Sequence, residues 1–140
     1  MPTSTPITVE TTANISLEQA WSHWTTPEHI MQWNNADDDW HTPRAEIDLR
    51  EGGRFLYRME AKDGSVGFDF NGIFTKVIPL QSIEYTIEGG RKVSVTFSSQ
   101  GEATTITETF EIEDENPVEM QRQGWQAILN NFKKYTEAHR

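Results

Sequence analysis

The chain has no cysteine, which excludes a disulfide framework, a thiolate zinc site and a cysteine nucleophile at once. Basic residues are scarce, with 12 Lys and Arg against 22 Asp and Glu and a formal net charge of −10. A field of that sign repels phosphate backbones and anionic membrane surfaces, which argues against nucleic acid and membrane partners. No apolar run approaches the length of a membrane span. The opening Met1-Pro2-Thr3-Ser4-Thr5-Pro6 has neither the basic nor the apolar segment of a secretory signal. The expectation is a soluble cytoplasmic protein with a flexible tail over residues 1–6. Aliphatic residues are few as well: Leu, Ile, Val and Phe make up about a fifth of the chain, close to the level at which charged chains tend to stay disordered.

What is present reverses that last inference. Five Trp, seven Phe and three Tyr sit within segments of clear periodicity, so the 140 residues read as one folded domain (1–140) with an aromatic interior. A chain of this length buries about two-thirds of the surface its unfolded form exposes and needs no staple. Strict alternation from Ile7 to about Ala13 reads as a strand. Ser16 with Gln19 three residues on is a capping box, and Leu17, Ala20, Trp21 and Trp24 follow at helical spacing. Thr26-Pro27 opens a second short helix carrying Ile30 and Trp33 inward. Asn34 to Pro43 is polar, acidic and aperiodic apart from Trp40, and reads as an irregular loop.

Six strands are then expected at Glu46 to Leu49, Arg54 to Glu60, Val66 to Ile78, Ser82 to Glu88, Lys92 to Ser98 and Thr104 to Glu113. Gly-Gly, Asp-Gly, Pro and Gln-Gly punctuation separates them, and such short connections imply an antiparallel meander. Glu-Gly-Gly-Arg occurs twice, at Glu51 to Arg54 and Glu88 to Arg91, and both copies read as turns rather than phosphate loops, since each precedes a strand. Inward parity passes from Val66, Phe68 and Phe70 to Ile73 and Val77, which predicts a bulge at Gly72. Asn116 as N-cap, Pro117 as first residue and Glu119 at the third position begin a long helix. Its stripe is Trp125, Ile128, Leu129, Phe132 and Tyr135, with Gly124 expected to let Trp125 anchor closely on the sheet. This order is α+β, a helix-grip arrangement: a curved antiparallel sheet of six to seven strands wraps the long C-terminal helix, with two short helices after the first strand.

Candidate chemistry is sparse. His23 and His29 are six residues apart, about 240° around a helix, so one continuous helix would not aim them at one metal. Asp37, Asp39, His41 and Asp48 echo a calcium loop faintly, but Thr42 stands where that loop needs glycine and Pro43 follows. Gly64-Ser65-Val66-Gly67 is a hairpin turn, not a nucleophile elbow. No metal and no cofactor is expected, and no catalytic residue is assigned. Tyr57 and Tyr85 share parity with apolar neighbours and can orient a polar ligand group or serve as core tyrosines. Glu108 carries the most information, because it shares the inward set of its strand with Ile106, Phe110 and Ile112 while Thr105, Thr107, Thr109 and Glu111 face out. A carboxylate in that position lines a wet or ligand-filled cavity, pairs with an arginine, or titrates near neutrality.

Several stretches carry a family resemblance. Ile15 to Trp33, with Trp21 ahead of Thr26-Pro27-Glu28 and Trp33 closing the second helix, resembles the opening of the bacterial START-like (SRPBCC) proteins named after the activator of heat-shock protein 90 ATPase. Gly52-Gly53-Arg54-Phe55, Phe70-Asn71-Gly72, Thr104 to Phe110 and Gly124-Trp125 ahead of Leu129 are also similar to that family. The resemblance spans about Ile7 to Ala138 and implies the helix-grip fold. Members of the superfamily bind lipids, hormones or polyketides, catalyse cyclisations, or act as co-chaperones. The chaperone activators resembled here carry a further N-terminal domain that contacts their partner, and no such domain is expected within these 140 residues.

The leading expectation is a protein that binds a small apolar or amphipathic molecule in an internal cavity, leaning away from enzyme activity. The expected lining is Trp33, Trp40, Phe55, Tyr57, Phe68, Phe70, Tyr85, Phe97, Glu108, Phe110, Trp125 and Leu129. Aromatic rings would supply area there, and Glu108 and the tyrosines would orient a polar end. The alternatives left open are a co-chaperone with a chaperone partner, or a cyclase or hydrolase using the same cavity. A homodimer also stays open.

Overall fold

Alternation of Thr and Glu with Ile, Val and Phe builds a sheet, and the 3.6-residue stripe near the C-terminus builds the helix that covers it. A computed structural model describes residues 6–140. The expected tail lies outside them except for Pro6, which pairs with Glu111 and opens the first strand. In chain order the elements are β1 (Pro6–Ala13), α1 (Leu17–Thr25), α2 (Pro27–Trp33), β2 (Trp40–Ile47), β3 (Arg54–Ala61), β4 (Gly67–Ile78), β5 (Ser82–Ile87), β6 (Arg91–Gln100), β7 (Ala103–Glu111) and α3 (Val118–Ala138). The seven strands form one curled antiparallel sheet in the order β1-β7-β6-β5-β4-β3-β2. A meander thus runs from β2 to β7, and β1 closes beside β7. The helix-grip fold is therefore present, with α3 against the inner face of the sheet.

Inner and outer faces follow the period-2 pattern. On β7, Thr104, Ile106, Glu108 and Phe110 are buried. The outer face carries hydroxyl pairs between β1 and β7, Thr8 with Thr109 at 3.0 Å and Thr12 with Thr105 at 2.8 Å. Ser16 caps α1 as its sequence suggests, its Oγ accepting from the Gln19 N–H at 3.2 Å. The Gly89-Gly90 turn between β5 and β6 takes φ of 83° and 79°, a backbone region that side chains disfavour.

Four local expectations are corrected. The loop expected over Asn34 to Pro43 ends early, because Trp40 to Pro43 belong to β2 and pair as Trp40 with Ala61 and His41 with Glu60. A register shift between His41 and Arg44 accommodates Pro43 on this edge strand, where a missing N–H is tolerated. The bulge expected at Gly72 lies instead between Phe74 and Lys76. Inward parity runs Phe70, Gly72, Phe74 and then Val77, while Ile73 faces out at 40% exposure. Gly72 serves a different purpose: a Cβ there would sit 2.5 Å from the Thr86 carbonyl oxygen and 2.8 Å from the Phe55 ring, so its absence lets Phe55 lie on the strand.

The start of α3 differs too. Pro117 is the N-cap residue, and Asn116 turns away to donate to the Glu113 carboxylate at 2.7 Å. Gln121 ties the turn down by accepting the Glu113 N–H at 3.0 Å and donating to the carbonyls of Glu113 and Asn116. Leu129 and Phe132 are the fully buried anchors of α3. Trp125 is only partly buried and stacks on Phe110, ring centroids 4.2 Å apart and planes within 8°. A Cβ added at Gly124 would meet nothing within 4 Å, so this glycine is not a close-approach point.

Candidate functional site

Between α3 and the inner face of β3, β4, β5 and β7 lies a pocket of about 250 Å³. The strand register explains its floor. Tyr57 pairs with Phe70, Phe55 with Gly72 and Phe74 with Tyr85, so aromatic side chains fall on one face of three adjacent strands. The Phe55 ring contacts Tyr57, Phe70, Phe74 and Tyr85 with centroids 4.9–5.6 Å apart. Trp125 covers them from α3, its ring edge-on to Phe70 at 6.2 Å. Trp33 closes one side, held by its Nε1–H donating to the His23 carbonyl at 2.9 Å.

Of the twelve lining residues expected from the sequence, the pocket brings together Trp33, Phe55, Tyr57, Phe68, Phe70, Tyr85, Glu108 and Trp125. The other four lie elsewhere. Phe97 packs edge-on against Trp21 and Trp24. Phe110 lies behind the Trp125 ring and is fully buried. Leu129 is fully buried in the core, and Trp40 stands 6.0 Å from Phe68 at the start of β2. Inward parity cannot separate a residue in the solid core from one on a cavity wall. The wall also includes Trp24, Phe74, Ile83 and Ile128, whose helical or strand spacing is a sufficient signal for an inner face. Asn34, Arg91, Glu113 and Gln121 line it as well, and these come from turns and element ends, where no periodicity exists to find them.

Three polar groups reach this aromatic space. Glu108 is 5% exposed, and burial raises its pKa from 4.5 to about 8, since the charged form loses solvation. Burial also raises Tyr85 well above its usual value, and the Glu108 charge and Tyr57 add to the effect. Burial alone raises Tyr57. Among the described residues, none of these three side chains has a hydrogen-bond partner, and no side-chain polar atom is both fully occluded and unpartnered. The carboxyl of Glu108 and the two hydroxyls therefore open onto the pocket itself.

At one end Arg91 donates to the Glu111 carbonyl at 3.5 Å. Glu113 is held below its usual range chiefly by the Asn116 N–H, with Arg91 a smaller contributor. No ion pair forms between Arg91 and Glu108 among the described residues. The pocket thus separates one bonded charged corner from one unbonded carboxyl.

His23 and His29 form a second cluster outside the pocket. The break at Thr26-Pro27 folds α2 back on α1, so the rings of His23 and His29 approach to 4.3 Å although no single helix could pair them. His23 Nδ1 bonds Thr136 Oγ1 and His29 Nδ1 bonds the Tyr135 hydroxyl, each at 2.6 Å. Among the described residues no group of three His, Asp or Glu side chains is arranged to hold a metal ion. No described helix is long and apolar enough to cross a membrane.

Comparison with known proteins identifies the fold's relatives. A family model described as Activator of Hsp90 ATPase homolog 1-like protein matches residues 14–137. The solution structure of an AHSA1-like protein from Aeromonas hydrophila is 42% identical, with a TM-score of 0.91 over 96% of this chain and 94% of that one. A protein from Cytophaga hutchinsonii is 50% identical, with a TM-score of 0.82 over 95% of this chain and 92% of its own. A Nitrosomonas europaea protein at 15% identity shares the fold, with a TM-score of 0.81 over 96% of this chain and 95% of that one. No curated protein matches the chain.

Proposed function

The chain belongs to the Activator of Hsp90 ATPase homolog 1-like family, and from that premise we propose that it binds a small, largely apolar molecule between α3 and the sheet. One observation carries the reading: an aromatic pocket of about 250 Å³ into which Tyr57, Tyr85 and Glu108 turn polar groups that no protein group satisfies. These atoms are reachable by water rather than occluded, and a few polar groups converging on an apolar wall suit a ligand that displaces that water and supplies the partners. Size narrows the class. A cavity of about 150 Å³ accepts benzene and drug-sized ligands occupy roughly 300–1,000 Å³, so a one- or two-ring molecule fits and a long acyl chain would not be enclosed. The co-chaperone reading rests on the family description alone.

The test is a titration with the neutral dye N-phenyl-1-naphthylamine, whose emission rises in apolar surroundings. Ile128 of α3 is a half-buried residue of the pocket wall, so a larger side chain there takes up pocket volume. Wild type is expected to bind the dye saturably with micromolar affinity. Ile128→Trp, which narrows the space, is expected to weaken binding at least tenfold, a loss of about 1.4 kcal/mol, with a retained cooperative urea transition as the control for folding. Absence of saturable binding, or equal binding by the variant, overturns the proposal.

A further inference from the structure

Resting on that binding-site reading, we propose that the ligand carries a protonated amine, with the Glu108 carboxylate as its counter-ion and the surrounding aromatic rings as its cage. The argument begins with what surrounds the carboxyl. On β7, Glu108 pairs with Val95 of β6 and Val9 of β1, so its lateral neighbours are apolar. Sharing the pocket wall with it are Tyr85 of β5, Tyr57 of β3 and Trp125 of α3, with Arg91 of β6 and Glu113 as the remaining charged groups of the wall. Arg91 is engaged with the Glu111 carbonyl and lies by Glu113. None of these supplies Glu108 with a cation.

An ionised carboxylate in an apolar enclosure is strongly disfavoured unless a positive charge meets it. An ammonium group does so, and the electron-rich faces of Tyr57, Tyr85, Phe70 and Trp125 attract the same cation. The net charge of −10 raises the concentration of cations and lowers that of anions around the protein as a whole. A fatty acid or other anion has the opposite sign at each of these levels. At pH 7 the empty site holds Glu108 mostly protonated, so ionising it costs the ligand a factor of about ten. The amine should therefore bind more tightly as pH rises towards 8. A neutral ligand accepting a hydrogen bond from the protonated carboxyl would show the reverse trend.

The decisive experiment compares two probes of equal shape, 1-naphthylmethylamine and 1-naphthalenemethanol, by isothermal titration calorimetry with wild type and Glu108→Gln. In wild type at pH 8 the amine is expected to bind at least tenfold more tightly than the alcohol, and its affinity to fall at least tenfold between pH 8 and pH 6. In Glu108→Gln the preference and the pH dependence are both expected to vanish while alcohol binding persists. Equal binding of the two probes by wild type, or tighter binding of the alcohol, sinks the amine assignment and leaves the pocket reading standing. Failure of wild type to bind either probe overturns both. The pH dependence in wild type decides the matter even if the variant proves unusable.

Discussion

Replacing Glu108 with glutamine keeps the shape of the side chain and removes its ionisation. In the ligand-free fold burial pushes the carboxyl pKa up from the usual 4.5 to about 8. Between those two values the folded state holds a proton that the unfolded state has released, so stability falls as pH rises through that window and levels off above the folded value. About three and a half units of separation, at about 1.4 kcal/mol each, set a ceiling near 5 kcal/mol. At pH 8, where the folded carboxyl is half ionised, the penalty is about 4 kcal/mol. Below about pH 4 both states are protonated and the penalty disappears. Glu108→Gln is therefore expected to be more stable than wild type at pH 8 and close to it at pH 4. With a urea slope of about 1–3 kcal/mol/M, the midpoint gain at pH 8 is about 2 M. The measurement is a urea titration of both proteins at both pH values, freed of any co-purified small molecule, with unchanged slopes as the control. A gain under about 0.3 M at pH 8 would place the carboxyl in water. A loss of stability there would mean that a protein cation holds it, and either result refutes the reasoning.

Two glycines on facing elements should answer oppositely to alanine. Gly124→Ala is expected to raise stability by about 0.5–1 kcal/mol through helix propensity, since its Cβ meets nothing. Gly72→Ala is expected to cost about 1–3 kcal/mol, because its Cβ collides with Phe55 and the Thr86 carbonyl; thermal or urea melts that rank the two variants the other way would contradict this placement. His23 has a lowered pKa, by burial first and then by His29 and His139. The unfolded chain therefore takes up more protons as pH drops below about 6.5, and stability is lost in that direction. His23→Gln should flatten part of the fall in urea midpoint between pH 7 and pH 5, and an unaltered slope would show that the His23 ring remains solvated.

Much of this architecture is written in local pattern. Ser16 with Gln19, the Thr26-Pro27 break and the alternation from Thr104 to Phe110 each act within a few residues, where capping, fixed proline dihedrals and the two-residue period of a strand are decided. The placement of Glu108 on an inner face was legible for the same reason: parity within one strand suffices. Trp40 to Pro43 escaped because a bulge and a proline erase that period on an edge strand. Parity alone locates the bend only to the neighbourhood of Gly72, since it cannot say which of several nearby residues absorbs the extra one, and the register shift falls between Phe74 and Lys76.

What only the tertiary structure decided is depth and company. Phe110 and Trp125 both carry inward signals, yet one is sealed behind the other, and Leu129 and Ile128 differ by a single residue in whether they meet core or cavity. Whether Arg91 reaches Glu108 or stays with Glu111 and Glu113 depends on how β6 and the turn before α3 come together. The two histidines meet only because α1 and α2 fold against each other. The aromatic content and the inward carboxyl were set by sequence, whereas the space around that carboxyl arises from contacts between residues distant along the chain, which no local pattern encodes.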